Sequence, residues 1–336
     1  MTVEDAFLQE ICQNPDDDAV RLVYADWLDE NGQPERAEFI RLQIQRDRSE
    51  DHVERVVMSP RESNLLEEHG SGWTRGLPGL ISDFGAGSIQ TRNFRRGFIE
   101  CATVAAQTFV QHAACWLERT PLRSVRLLDA ASCMALLAGC PQLACLTGLS
   151  LAGNCLNDQH VRILVDSPYL TRLSALGLSM NRLSIDGVEA LASSPRLQSL
   201  TSLGLSDTFG GDVGAQALAD SRQLKSLRGL GLCSNGIGDE GLLALVNSRH
   251  LTRLSELWLG ENLITHLGVR GLATARNLRR LRVLSLFDNP IGRIRASDVA
   301  AVLDSNPNLR VDLSSKSIHS SVRRSLRRRY PERVSV

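Results

Sequence analysis

The sequence predicts an α/β fold, a curved solenoid with a parallel sheet inside and helices outside, preceded by a small all-α N-terminal domain. Leucine recurs every 27 residues from Leu149 to Leu284. Within each interval, a short alternating stretch is followed by a stretch with helical spacing. Residues 1–46 instead carry helix-capping residues and helical periodicity without the leucine repeat. These observations separate a helical N-terminal part from a repeat array.

The repeated leucines predict one short strand per repeat. Each repeat contains Leu-x-Leu, whose period of two places both leucines on one face of a strand. The pairs begin at Leu149, Leu176, Leu203, Leu230, Leu257 and Leu284. One repeat cannot bury these side chains alone, so successive repeats must stack with strands about 4.8 Å apart. Because a helix is about 10 Å wide, the helical side needs more room and the stack is expected to curve.

An asparagine follows the strand at a constant position. The series is Asn154, Asn181, Asn235, Asn262 and Asn289, and Thr208 is its one departure. Asparagine side chains hydrogen-bond backbone groups in tight turns, so we assign these residues a structural role. Residues suited to helix N-caps come next, namely Asn157, Ser184, Gly211, Gly238 and Thr265. Each repeat is therefore predicted to run from strand to turn to helix.

These repeats resemble leucine-rich repeats of the ribonuclease-inhibitor type, in which each unit contains a strand, an asparagine turn and a helix. The resemblance runs from about Phe98 to Leu313, and we assign residues 96–314 to the repeats. Residues 315–336 are basic and are predicted to form a C-terminal cap helix. The last repeat would otherwise expose its apolar side.

The N-terminal part is predicted to contain three helices. Thr2 and Asp5 form a capping box for the first helix, Asn14-Pro15 begins the second, and Pro34 opens the third. The string NPDDDAVRLVYADWLDENGQPERAEFIRLQ resembles the repeat-companion domain of planctomycete bacteria. This resemblance implies a bacterial protein but no established activity. Residues 47–95 are predicted to be a linker and the N-terminal cap of the solenoid.

The composition is that of a soluble protein without membrane segments. The chain has 336 residues, is 43% hydrophobic and has a formal net charge of zero. It has no run of about 18 apolar residues that could span a membrane. Its start has no signal-peptide pattern, so we expect a cytoplasmic location. The eight cysteines form no CxxC pair, and we interpret them as buried thiols.

Nothing in the sequence predicts catalysis. It contains no glycine-rich phosphate loop, HExxH motif or GxSxG elbow, and its histidines are scattered. The consecutive aspartates Asp16–Asp18 could suggest a metal site, but we interpret them as acidic residues that complement the positive end of a helix. We predict a non-catalytic protein without a cofactor or a metal site.

The predicted binding surface lies on the inner face of the last repeats. Most residues on this face are glycine or serine, but Trp258 and Phe287 stand out, with Glu256, Glu261 and Asp288 beside them. Exposed aromatic residues ringed by acids are typical of a binding hot spot for a basic or mixed partner. The alternative is that Trp258 only fills space beside two glycine-containing repeats. We predict a monomer that binds a protein partner of unknown identity.

Two alternative functions remain open. Some ribonuclease-inhibitor-type repeats regulate GTPases by docking, and stimulated GTP hydrolysis by a co-purified GTPase would identify this role. The stretch SVRRSLRRRYPERV contains six arginines and one glutamate, so it could attract nucleic acid or an acidic partner. Its apolar stripe of Val322, Leu326 and Tyr330 favours a role in capping the solenoid, and we do not favour nucleic acid as a partner.

Overall fold

The computed structural model describes residues 2–51, 59–79, 93–208 and 210–336. The predicted linker and cap over 47–95 therefore lies partly outside the described residues, at 52–58 and 80–92. The chain divides into two compact units. Unit 1 comprises Met1–Asp129 with Cys140–Leu149, and unit 2 comprises Ala130–Gly139 with Ser150–Val336. The domain boundaries predicted from the sequence stay a prediction.

Unit 1 begins with helices and continues into short strands. Its elements are α1 (Val3–Gln13), α2 (Asp18–Glu30), α3 (Pro34–Asp47), α4 (Pro60–Trp73), the antiparallel pair β1 (Phe94–Arg95) and β2 (Phe98–Ile99), β3 (Cys101–Ala105), α5 (Ala106–Leu117) and β4 (Ser124–Leu128). The Thr2–Asp5 capping box is present, and α3 begins at Pro34 as predicted.

The second helix begins later than predicted. Asn14 ends α1, because its backbone N–H donates to Glu10 O at 2.8 Å. Asp17 then caps α2 by accepting a hydrogen bond from Ala19 N at 2.8 Å. The prediction that α2 starts at Asn14-Pro15 is therefore wrong. The side chain that satisfies an otherwise unpaired amide sets the helix start, and Asp17 fills this role.

An ionic network is buried in unit 1. Arg21 is fully buried and donates to Glu100 Oε1 at 2.8 Å and to Arg96 O at 3.0 Å. Arg96 also donates to Glu100 Oε1, at 2.9 Å. Tyr24 and Phe98 belong to the same apolar cluster as Ile11, Leu28 and Ile40. Helices α1 to α3 thus share a core with β2, and the buried charges of Arg21, Arg96 and Glu100 are paired with one another.

The remaining elements repeat one strand and one helix. The strands are β5 (Gly148–Ser150), β6 (Ala175–Gly177), β7 (Ser202–Gly204), β8 (Gly229–Gly231), β9 (Glu256–Trp258), β10 (Val283–Ser285), β11 (Arg310–Asp312) and β12 (Val334–Ser335). The helices are α6 (Met134–Ala138), α7 (Asp158–Val165), α8 (Ile185–Ser193), α9 (Gly211–Asp220), α10 (Asp239–Asn247), α11 (His266–Gly271), α12 (Ala296–Ser305) and α13 (Ser320–Arg329).

Strands β3 and β4 of unit 1 pair in parallel, and strands β6 to β12 of unit 2 follow one another in chain order in a parallel sheet. In unit 2 the register pairs equivalent residues of successive repeats, for example Leu203 with Leu230 and Leu230 with Leu257. The leucines point into the core, as Leu178 and Leu232 are 0% and 4% exposed. The predicted α/β repeat solenoid is confirmed.

The helix caps of the repeats follow the sequence closely. Asn157, Ser184 and Thr265 accept backbone hydrogen bonds at the starts of α7, α8 and α11. For α9 the cap is Gly210 instead of the predicted Gly211. The backbone N–H of Gly211 is hydrogen-bonded to Asn235 O, at 3.0 Å, which ties this residue to the next repeat.

Buried serines join the carboxyl ends of successive helices. Ser167 Oγ donates to Ala138 O at 2.6 Å, and Ser194 Oγ donates to Val165 O at 3.2 Å. Ser221 and Ser248 make the equivalent bonds one and two repeats later. These serines satisfy carbonyls that a helix terminus leaves without an internal partner. The repeats are therefore linked on the helical side as well as through the sheet.

A short strand closes the C-terminal end of the sheet. Val311 N donates to Arg333 O at 2.8 Å, and Leu313 N donates to Ser335 O at 2.7 Å, so β12 extends the sheet beyond β11. The cap predicted over 315–336 is therefore helical only at Ser320–Arg329.

The cysteines differ in their exposure. Cys133 and Cys140 are buried, whereas Cys101, Cys145 and Cys155 are exposed, so the expectation of buried thiols holds only in part. Among the described helices, none is long and apolar enough to cross a membrane.

Candidate functional site

The candidate site lies on the face of the unit 2 sheet that does not carry the leucines. At the central strand position, this face presents Ser150, Gly177, Gly204 and Gly231, all partly exposed. Ser179 Oγ and Ser206 Oγ accept hydrogen bonds from backbone amides of the following repeats, both at 3.1 Å. The floor of this face is thus made of small side chains, and a partner backbone can approach it closely.

Trp258 is at the end of β9, and its ring lies over β8. A Cβ atom at Gly229 would lie 3.3 Å from Trp258 Cζ3, so the indole covers the glycine backbone at van der Waals distance. The indole is nevertheless partly exposed. Trp258 thus packs against a glycine-containing repeat and also presents aromatic surface on the open face.

Phe287 repeats this arrangement one turn of the solenoid later. Its ring lies on Gly260, where an added Cβ would come within 2.0 Å of Phe287 Cε1. Gly260 is buried, and Phe287 remains partly exposed. Any side chain at Gly260 would displace the ring, so this glycine fixes the position of Phe287.

The three predicted acidic residues do not form one cluster. Glu261 and Asp288 occupy equivalent turns at the carboxyl ends of β9 and β10, and both are exposed. Ser234 Oγ donates to Glu261 Oε2 at 2.9 Å, and Glu261 N donates to Phe287 O at 2.8 Å. Glu256 instead begins β9, at the amino end of the strand. The structure therefore places Glu261 and Asp288 at the carboxyl ends of the strands and Glu256 at the amino end.

The predicted asparagines connect neighbouring repeats. Asn262 Oδ1 accepts from Asn235 N and Ile237 N, both at 3.0 Å. Asn262 Nδ2 donates to Leu232 O at 2.9 Å and to Leu259 O at 3.1 Å. Asn154, Asn181, Asn235, Asn262 and Asn289 are all at most 6% exposed. Each such side chain satisfies backbone groups that would otherwise be buried without a partner.

Thr208 makes fewer connections than the asparagines. Its hydroxyl donates to Leu205 O at 2.7 Å, within its own repeat, and also contacts Asn235 Oδ1 at 3.0 Å. By contrast, Asn181 reaches back to Leu151 O, at 2.9 Å, and Asn154 N, at 3.1 Å, in the preceding repeat. Among the described residues, the shorter threonine side chain makes no such bond to the preceding repeat.

A basic cleft was not predicted from the sequence. It has a volume of about 530 Å³, and its lining includes Arg228, Arg253, Arg279, Arg280 and Arg282 together with Thr252, Ser255 and Asn308. All five arginines are exposed. The signal available in the sequence was the repeat spacing, which places Arg228 and Arg282 at equivalent positions two repeats apart. We call this feature the basic cleft.

The C-terminal arginines are partly engaged inside the chain. Arg333 donates to Leu303 O at 2.8 Å and to Asn306 O at 2.6 Å, at the carboxyl end of α12. Arg329 pairs with Asp304 at 3.1 Å, and Arg327 donates to Val336 O. These contacts give half of the six predicted arginines a structural partner.

The aspartates of unit 1 also have structural partners. Arg123 donates to both carboxylate oxygens of Asp16, at 2.6 and 2.8 Å, and this hydrogen bonding lowers the pKa of Asp16. Asp18 pairs with Arg48 at 2.9 Å. In the part of the chain that the structure describes, no three or more His, Cys, Asp or Glu residues are arranged to hold a metal ion.

This chain is similar to known structures. Human trophoblast glycoprotein (Wnt-activated inhibitory factor 1) has a TM-score of 0.41 and 25% identity, over 58% of this chain and 70% of that chain. An internalin from Listeria monocytogenes has a TM-score of 0.38 and 21% identity, over 60% of this chain and 57% of that chain. Both are leucine-rich repeat proteins.

The fold is a leucine-rich repeat solenoid. The parallel pairing of equivalent leucines, repeat after repeat, carries this assignment. No family model and no curated protein matches the chain.

Proposed function

We propose that this chain is a non-catalytic scaffold that binds a protein partner on the open face of the unit 2 sheet. Trp258 and Phe287 are the anchors of the proposed interface. The observation that supports it is their partial exposure on a face built mostly of glycine and serine. Large aromatic side chains that are held rigidly and left accessible supply most of the binding energy in many interfaces.

The acidic turns favour a partner with positive charge. Glu261 and Asp288 are both exposed at the carboxyl ends of neighbouring strands, next to Phe287. A partner with a basic residue beside an apolar one would complement these acidic turns and the neighbouring Phe287 ring. Because the same face also presents the partly exposed rings of Trp258 and Phe287, a mixed basic and apolar partner fits better than a purely basic one.

The subtype of the repeats and the kind of N-terminal domain belong to the same proposal. We infer that the repeats are of the ribonuclease-inhibitor type, because each one combines a strand, an asparagine turn and a helix. The helices up to Asp47 carry the string that resembles the planctomycete repeat-companion domain. On this proposal the protein is bacterial, acts as a monomer and works in the cytoplasm.

Substitution of Trp258 tests the interface. Peptides that bind the immobilised full chain would be selected from a displayed random library, and their dissociation constants would be measured by isothermal titration calorimetry. For Trp258→Ala we expect a loss of at least about 2 kcal/mol in binding free energy, because the substitution removes an aromatic anchor that the bound peptide would cover. The expected loss corresponds to a dissociation constant about thirty-fold higher.

Leu267→Ala is the matched control, since Leu267 is a large apolar residue that is 57% exposed on a helix. We expect this variant to bind the selected peptides like the wild type. Trp258→Ala should also keep the wild-type circular dichroism spectrum. An unchanged dissociation constant in Trp258→Ala, or equal losses in both variants, would contradict the proposed interface.

A further inference from the structure

The basic cleft lies at the amino end of three neighbouring strands. Arg228, Ser255 and Arg282 directly precede β8, β9 and β10. Ser255 N donates to Arg228 O at 2.8 Å, and Arg282 N donates to Ser255 O at 2.7 Å. These residues therefore occupy successive levels of the sheet, about 4.8 Å apart. Arg228 and Arg282 emerge from the backbone about 10 Å from each other.

The positive charge of the cleft is not neutralised within the described residues. No acidic residue lines the cleft, and none of its five arginines forms an ion pair in the part of the chain that the structure describes. Only Arg280 uses its guanidinium in a hydrogen bond there, to Thr252 O. Arg21 and Arg123 in unit 1 do have carboxylate partners. The cleft thus concentrates unpaired guanidinium groups in a chain whose net charge is zero.

Guanidinium groups indicate the class of ligand. Their planar donors match the two oxygens of a carboxylate or a phosphate, and several such groups at one site favour a ligand with several negative charges. Proteins that bind single-stranded nucleic acid also provide aromatic platforms on which bases stack. No aromatic residue is among those that line this cleft. The lining therefore fits carboxylates on a protein better than a nucleic acid.

We propose that the basic cleft binds an acidic segment of a partner protein, with consecutive Glu or Asp side chains that pair with Arg228, Arg253 and Arg282. This site goes beyond the proposed function, because it does not involve Trp258 or Phe287. It also differs from the arginine cluster near the C-terminus, where Arg327, Arg329 and Arg333 already have partners within the chain.

The probe for this site is a fluorescently labelled octa-glutamate peptide, titrated with the full-length chain by fluorescence anisotropy. We expect octa-glutamate to bind, octa-glutamine not to bind, and the affinity to fall as salt is added. The variant Arg228→Gln/Arg253→Gln/Arg282→Gln should bind octa-glutamate at least about tenfold more weakly, since three exposed ion pairs are lost. These side chains are exposed, so the melting temperature should remain close to that of the wild type.

A control with the same change in charge separates a site from a general charge effect. Arg222, Arg249 and Arg276 are exposed and occupy one equivalent position in three successive repeats, outside the cleft. Arg222→Gln/Arg249→Gln/Arg276→Gln should retain most of the affinity for octa-glutamate. Equal weakening in both triple variants, or no binding of octa-glutamate by the wild type, would overturn the proposal. Tighter binding of a single-stranded oligonucleotide of equal charge, lost in the cleft variant, would also overturn it in favour of nucleic acid.

Discussion

At the scale of single residues, the buried asparagines determine how one repeat is joined to the next. The Asn262 side chain makes hydrogen bonds to five backbone groups, which belong to both its own and the preceding repeat. The 27-residue spacing predicts which asparagines are equivalent. It does not predict which amides they satisfy, because these depend on the backbone path of each turn.

Replacement of Asn262 should be costly. Asn262→Ala leaves the N–H groups of Asn235 and Ile237 without their side-chain acceptor in a buried site, and Leu232 O loses the donor Asn262 Nδ2. We expect the free energy of unfolding to fall by roughly 3 kcal/mol, since each unsatisfied buried group is unfavourable. Urea denaturation followed by circular dichroism measures this loss.

Thr208→Ala is the natural comparison, because Thr208 fills the same position with a single hydroxyl donor. We expect this variant to lose about 1 kcal/mol. If both substitutions cost the same, the bonds between repeats contribute little to stability.

At the scale of secondary-structure elements, the C-terminal end shows what the sequence could not reveal. Val322, Leu326 and Tyr330 have helical spacing and predict α13 correctly. The strand β12 has only two residues, too few for an alternating pattern to be recognised. Arg333 directly precedes β12 and its guanidinium binds the end of α12, a proximity that arises only in the folded chain.

Loss of Arg333 should loosen this terminal strand. Arg333→Ala removes the donors to Leu303 O, Asn306 O and Leu309 O. We expect the stability to fall by about 2 kcal/mol, because charged hydrogen bonds to a helix terminus are lost. The amides of Val311 and Leu313, which bond to β12, should exchange hydrogen faster.

Arg328→Ala provides the control, as Arg328 is exposed on α13. It should leave both amides as protected as in the wild type. Unchanged exchange in Arg333→Ala would show that β12 is held by the sheet alone.

At the scale of the whole molecule, the repeat array was predictable and the ionic features were not. Repetition itself specifies the register, so the leucine spacing was sufficient to predict the sheet and its buried face. Arg21 and Glu100 are 79 positions apart, and nothing local signals that they meet. The same limit applies to the basic cleft, whose arginines come from three different repeats.

A cavity in the middle of the array should destabilise it. Leu205 is fully buried, and we expect Leu205→Ala to reduce the free energy of unfolding by about 2–5 kcal/mol, as for other buried leucine truncations. Chemical denaturation monitored by circular dichroism provides the measurement. In an array whose units contact only their neighbours, the damage should be greatest in the adjoining repeats.

Leu136→Ala is the matched control, since Leu136 is 59% exposed. This variant should unfold within about 0.5 kcal/mol of the wild type. A stable Leu205→Ala protein would contradict the inward orientation of that leucine.

The register of β6 to β10 also bears on how such a chain can evolve. Paired residues are always one repeat length apart, as in Ala175 with Ser202 and Gly229 with Glu256. Duplication or excision of one entire 27-residue segment would preserve the pairing of equivalent residues between strands. Insertion or deletion of a segment of another length would disrupt that pairing. The gene can therefore lengthen or shorten its protein in modular steps, and new recognition surface can be acquired without a new core.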